Sequence, residues 1–146
     1  LEEGYDSLIM GIRDNEKLKS VFIELTAKNC NQRCQQCYIN FPVNKNVKDF
    51  ISLDKVKSAL KDIQNEDVEY IFLTGAEPMT HPEFNSILRL CLKKSNDVIC
   101  TNSSFINEKK SRFLKKVEDE FEKDNSKTER IKAIVDLFEK YDFQQI

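Results

Sequence analysis

The run Tyr70-Ile71-Phe72-Leu73-Thr74-Gly75-Ala76-Glu77-Pro78 decides how the rest of the chain is read. Its first five residues are apolar or β-branched without interruption and too few for a helix. They describe a strand buried on both faces, as in parallel sheets. Gly75 and Pro78 end it abruptly. Downstream, Phe84, Ile87, Leu88, Cys91 and Leu92 recur at helical spacing, and Val98-Ile99-Cys100-Thr101 makes a second short strand, ended by Asn102-Ser103-Ser104. Upstream, Val21-Phe22-Ile23-Glu24-Leu25-Thr26 reads as a strand rich in branched and aromatic side chains. Between the two lies a helix carrying Val56, Ala59, Leu60 and Ile63 on one face, with Ser52 as its N-cap. Strand, helix, strand, helix, strand is the rhythm of right-handed βαβ units. The fold class is therefore α/β, with a parallel sheet.

The flanks are read by periodicity. Tyr5, Leu8, Ile9 and Ile12 predict a lead-in helix within residues 1–19. Asn107 is expected to cap a long helix whose inner positions are Phe113, Leu114, Val117 and Phe121. The polar stretch Glu118 to Thr128 predicts a break. Ile131, Ile134, Val135, Phe138 and Tyr141 predict a last helix, leading into a strand-like end at Phe143 to Ile146. Three regions follow: 1–19, a core over 20–124, and 125–146. No internal repeat is visible.

Composition excludes several classes. A chain of 146 residues fits one domain. Twenty-five acidic against 23 basic residues, net −2, argue against a protein that coats nucleic acid or anionic membrane. No apolar run approaches the ~20 residues needed to span a bilayer. Leu1 to Met10 lack a basic n-region, so no retained signal peptide is expected. Three Gly and three Pro do not describe a disordered chain. The expectation is a soluble cytoplasmic domain, and Leu1 in place of Met suggests a piece of something longer.

Of five cysteines, three crowd into Cys30-Asn31-Gln32-Arg33-Cys34-Gln35-Gln36-Cys37. An odd, clustered set points to intracellular ligand chemistry rather than to a disulfide scaffold. Thiolates are soft ligands, and spacings of three and then two fold readily around one compact centre. Structural zinc needs four ligands, so it would have to recruit His81, Cys91 or Cys100. An iron–sulfur cubane on three cysteines keeps one iron open. Ordinary loop cysteines are the third reading. A parallel sheet brings the cysteine loop, Gly75 to Pro78 and Thr101 to Ser103 to one rim at the carboxyl ends of the strands, where α/β proteins bind ligands.

Cys30-x3-Cys34-x2-Cys37 after a first strand resembles the cluster motif of the radical S-adenosylmethionine (radical SAM) superfamily. Thr74-Gly75-Ala76-Glu77-Pro78 resembles its Gly-Gly-Glu-Pro segment, and Thr101-Asn102-Ser103 its Thr-Asn-Gly. The resemblance covers residues 20 to 103, the N-terminal part of that family's core. It implies a partial (β/α)6 TIM-like barrel, incomplete here. At roughly 30 residues per βα unit this length holds four or five units at most. Three strands are clear, Phe121 to Arg130 offers no apolar run for a fourth, and Ile131 onward resembles a helix leading into another strand, so a strand-bearing segment is expected to be missing near Asn125 to Thr128.

The resemblance further implies a 4Fe-4S cluster on Cys30, Cys34 and Cys37, with no catalytic side chain beyond these ligands. Its open iron chelates S-adenosylmethionine, and one electron cleaves the sulfonium to methionine and a 5′-deoxyadenosyl radical that takes hydrogen from a substrate. Gly75, Ala76 and Glu77 would meet the methionine ammonium, Gln36 and Tyr38 the adenine, and Asn102 and Ser103 the ribose. The implied partners are a one-electron donor such as a flavodoxin or ferredoxin, and a peptide or small-molecule substrate. Ala76, Gln36 and Ser103 depart from the family's usual residues; an alanine at 76 requires negative φ.

The remaining residues have plainer readings. His81, before Pro82, closes a loop. Cys91 and Cys100 are core residues, and Glu24 either touches the interior of the barrel or has a strand-edge or solvent role. Lys109, Lys110, Arg112, Lys115 and Lys116 form a solvated helix face. The competing function is a degenerate, non-catalytic domain holding iron–sulfur or zinc, which iron, sulfide and S-adenosylmethionine binding would separate from the enzyme.

Overall fold

A computed structural model describes residues 9–14, 17–34, 37, 43–122 and 131–135. Strands β1 (Ile9–Asp14) and β2 (Lys17–Glu24) are followed by α1 (Leu53–Asp62), β3 (Tyr70–Thr74), a 3₁₀ turn (Pro78–Thr80), α2 (Phe84–Lys94), β4 (Asn96–Thr101), α3 (Glu108–Glu122) and β5 (Ile131–Val135). The sheet runs β1-β2-β3-β4-β5, with β1 antiparallel to β2 and the other neighbours parallel.

Because β2 to β5 lie in sequence order, successive right-handed crossovers all step the same way and deliver their helices to one face. The packing agrees: α2 touches both α1 and α3. The rows Val21–Ile71–Asp97 and Ile23–Leu73–Ile99 are buried. Ile23, Ile71, Leu73 and Ile99 pack there with Val56, Ile87, Leu88, Leu92 and Val117 into one core, each large side chain contributing about 1.5–3 kcal/mol. The opposite face carries the next row, where Phe22 and Phe72 stack with centroids 4.4 Å apart.

The caps form as the sequence indicates. Ser52 Oγ accepts from the Lys55 N–H at 3.1 Å, and Asn107 Oδ1 from the Lys110 N–H at 2.8 Å. Both close the open end of a helix that hangs from the sheet.

Two elements differ from expectation. The lead-in helix expected within residues 1–19 is, where described, the antiparallel strand β1, and β2 already begins at Lys17. Gly11 and the branched Ile9 and Ile12 are poor helix formers, and the edge of β2 offers a ladder that satisfies their backbone groups. The helix expected from Ile131 begins as strand β5, pairing Asp97↔Ile131 through Thr101↔Val135. Ile131, Ile134 and Val135 meet helical spacing by coincidence, whereas β-branched residues beside an open parallel edge favour a strand. Ile131–Val135 is therefore the fourth parallel strand. Asn125 to Thr128 lie outside the described residues.

Candidate functional site

The ends of β2, β3 and β4 share one rim. After β2 the chain is fastened before it reaches the first cysteine. The Asp49 carboxylate accepts from the Thr26 hydroxyl and from the N–H groups of Ala27 and Lys28, the last two at 3.0 and 2.8 Å. Thr26 Oγ1 in turn accepts from the Asn29 N–H at 3.0 Å. The buried Asn29 carboxamide donates to the carbonyls of Lys45 and Val47, tying the outgoing limb of the loop to its return.

Gly75 follows β3 at φ 126°, and a Cβ there would stand 2.3 Å from the Thr26 carbonyl oxygen. Only glycine permits that approach. Two backbone bonds continue it, Ala76 N–H to Thr26 O at 2.9 Å and Glu77 N–H to Asn29 O at 3.0 Å. Ala76 has negative φ, so its methyl is accommodated. Ser103 sits at φ 63°, in the left-handed region, held by its N–H on Thr101 Oγ1 at 3.1 Å.

Glu77 is fully buried. Its Oε1 accepts from Met79 N–H and Thr101 Oγ1 at 3.1 and 2.7 Å, and its Oε2 from Asn102 N–H at 2.8 Å. A carboxylate holding donors from two strand ends is a brace, which is how burial of an acid becomes tolerable.

Cys30, Cys34 and Cys37 form no disulfide and are half-buried. A turn closes between the last two, Cys37 N–H to Cys34 O at 3.2 Å. Cys30 Sγ accepts from the Gln32 N–H at 3.4 Å and from Asn102 Nδ2 at 3.7 Å. Burial pushes the Cys30 thiol up, as do the charges of Glu77 and Cys37, while those two hydrogen bonds pull the other way. A family model described as the radical SAM superfamily matches residues 25–123. The chain belongs to the radical SAM superfamily. Neither a curated protein nor a solved structure matches it.

For a radical SAM chain, the donor set suits an iron–sulfur cluster. Three soft thiols sit on one loop, two N–H groups already point at one sulfur, and a pinned backbone carries them. Among the described residues no three His, Cys, Asp or Glu side chains are yet gathered as a metal site. Gln36 and Tyr38 lie outside the described residues.

The other singled-out residues stand apart from this rim chemistry. His81 is buried; its Nδ1 accepts from the Glu83 N–H at 2.9 Å, so the proton is on Nε2, which donates to the Ile51 carbonyl at 2.6 Å. It joins the 3₁₀ turn to the entry of α1. Cys91 is fully buried, and burial first, then Asp97, holds its thiol well above the ordinary value. Cys100 is only half-buried, so it is not the enclosed core residue expected. Burial raises its thiol as well, the Thr74 hydrogen bond opposing. Glu24 is half-buried, its carboxyl raised by burial and by Asp49. Of the basic run on α3, Arg112 pairs with Glu108 and Lys115 with Asp119 along the exposed side of the helix. Lys110 departs from the expected solvated face: it is partly buried, donates to Asn85 Oδ1 on α2 at 3.2 Å and lies over the Phe84 and Phe113 rings. Periodicity could not reveal Asp49, Thr26 or Asn29, because their roles depend on contacts between separated limbs of the loop.

Proposed function

We propose that this chain is the cluster- and S-adenosylmethionine-binding part of a radical SAM enzyme, with Cys30, Cys34 and Cys37 as the ligands of a 4Fe-4S cluster. The observation that carries the reading is the shared rim. Three cysteines outside any disulfide follow β2, and Glu77 braces the loop after β3 to the end of β4 directly beside them. When bound, the cluster supplies one electron to the sulfonium of S-adenosylmethionine, releasing methionine and a 5′-deoxyadenosyl radical that abstracts hydrogen from a substrate.

The chain's own residues bind and orient. Gly75 and Ala76, whose backbone lies against Thr26 at the root of the cysteine loop, would receive the methionine end, with Glu77 holding their shape. Gln36 and Tyr38 would flank the adenine. Ser103 would face the ribose. Asn102 belongs to the same edge, but its carboxamide is engaged by Ser104, Asn31 and Cys30, so it serves the ribose by presenting Ser103. The in-order sheet β2 to β5, with helices on one face, supports membership of a partial (β/α)6 barrel. Its other face, bearing Phe22 and Phe72, would look inward toward a peptide or small-molecule substrate. A flavodoxin or ferredoxin would deliver the electron. No helix among the described residues is long and apolar enough to cross a membrane, which accords with a cytoplasmic setting for oxygen-sensitive chemistry.

The test is anaerobic reconstitution with iron and sulfide, reduction with dithionite, and assay of 5′-deoxyadenosine from S-adenosylmethionine. Product that vanishes in Cys34→Ala is the expected result. A complete cluster that forms no product would reduce the chain to a binding domain. Failure to take up iron and sulfide would end the reading.

A further inference from the structure

We propose that Asn102 is a positioning residue for the Cys30 sulfur, and that its side-chain N–H raises the reduction potential of the cluster held there. This inference rests on the cluster reading above and deepens it.

The orientation of the carboxamide is fixed by a group that can only donate. The Ser104 backbone N–H lies 3.0 Å from Asn102 Oδ1, so that atom is the oxygen; the Ser104 hydroxyl reaches the same oxygen at 2.7 Å. Nδ2 must therefore face the other way. One of its hydrogens goes to Asn31 Oδ1 at 3.1 Å, and the other to Cys30 Sγ at 3.7 Å. Asn102 is buried, and its backbone N–H is fixed on Glu77 Oε2 at 2.8 Å. The donor is thus held from both ends and shielded from water. Asn31, one residue after Cys30, also donates to Ser104 Oγ at 2.8 Å. The end of β4 and the start of the cysteine loop are therefore clasped together around this sulfur.

Adding an electron to an iron–sulfur cluster increases the negative charge on its thiolate sulfurs. A preset N–H donor stabilises that reduced form more than the oxidised one, and so raises the potential. One hydrogen bond of ordinary net strength shifts an equilibrium roughly three- to tenfold. The upper figure corresponds to about 59 mV for a one-electron couple.

The experiment is a redox titration followed by electron paramagnetic resonance on the reconstituted chain, Asn102→Leu, Asn102→Ala and Ser104→Ala. Leu removes the donor at similar size and no change of charge, and both Asn102 variants keep the backbone bond to Glu77. The expected result is a lower midpoint potential in both, by a three- to tenfold change in the reduction equilibrium. Ser104→Ala, which retains the backbone N–H that orients Asn102, should stay near wild type. Normal iron and sulfide content with an unchanged potential in the Asn102 variants would overturn the inference while leaving the radical SAM reading intact. Failure of the wild-type chain to take up a cluster would overturn that reading itself. Should neither variant fold, wild-type protein carrying ¹⁵N-asparagine must show a ¹⁵N coupling to the reduced cluster, and its absence would overturn the inference.

Discussion

The Thr101 hydroxyl donates to Oε1 of Glu77 at 2.7 Å, joining the end of β4 to the loop after β3 through a carboxylate that is fully buried. The same carboxylate holds the N–H groups of Met79 and Asn102. Removing it would leave three donors unsatisfied in the interior. Glu77→Ala is expected to cost about 3 kcal/mol or more, since each orphaned buried group costs about 1–3 kcal/mol. Glu77→Gln should cost less, because one acceptor survives while its NH₂ opposes a backbone N–H. Urea unfolding of the two variants checks both the sign and the order.

The two left-handed positions should respond oppositely to substitution. At Gly75 an added methyl meets the Thr26 carbonyl oxygen at 2.3 Å and strains the backbone as well. Gly75→Ala should therefore lose at least about 2 kcal/mol. Ser103→Gly relieves about 1 kcal/mol of left-handed strain but gives back about 0.4–1 kcal/mol through a freer unfolded chain. Its unfolding midpoint should stay level or rise slightly. A stable Gly75→Ala would contradict the close approach of the two loops.

Asp49 fastens the root of the cysteine loop by accepting from Thr26, Ala27 and Lys28. Asp49→Ala is expected to lose about 1.5–3 kcal/mol, the range for hydrogen bonds to a charged group. The damage should be local. Amide exchange of Ala27 and Lys28 should accelerate well beyond that of Ile71 or Leu73 in the central strand, whereas uniform acceleration would mean that Asp49 supports the whole fold.

Glu24 makes stability depend on pH. Burial and the neighbouring Asp49 raise its carboxyl above the ordinary 4.5. The folded state therefore favours the protonated acid. Its contribution is complete below the unfolded value and is lost as pH rises through the folded one. Glu24→Gln removes that loss. Relative to wild type, the variant should gain stability between pH 4 and pH 7, a difference read directly from urea midpoints across that range.

The parts of this chain that announced themselves in sequence are those whose cause is local. The continuous apolar run Tyr70 to Thr74, the stripe Phe84 to Leu92 and the caps Ser52 and Asn107 all correspond to observed elements. The cysteine spacing and Gly-Ala-Glu-Pro were enough to reach the superfamily that the family model also finds. Ile9 to Asp14 and Ile131 to Val135 are strands although their periodicity predicts helices, because a few branched residues satisfy helical and strand spacing equally. An unfilled edge of β2 or β4 decides between the two, and no window of sequence contains that edge.

By itself, then, the sequence determined the α/β class, the parallel order of the central strands and the three thiols available for a soft metal centre. Periodicity and ligand chemistry are properties of neighbouring residues. Tertiary structure alone decided that Glu77 would be a buried brace, that Asp49 would anchor the loop root, and that Asn102 would turn its N–H toward Cys30. Each of those roles is a hydrogen bond between groups more than twenty residues apart. Such a bond forms only because burial leaves those groups no water to bond instead.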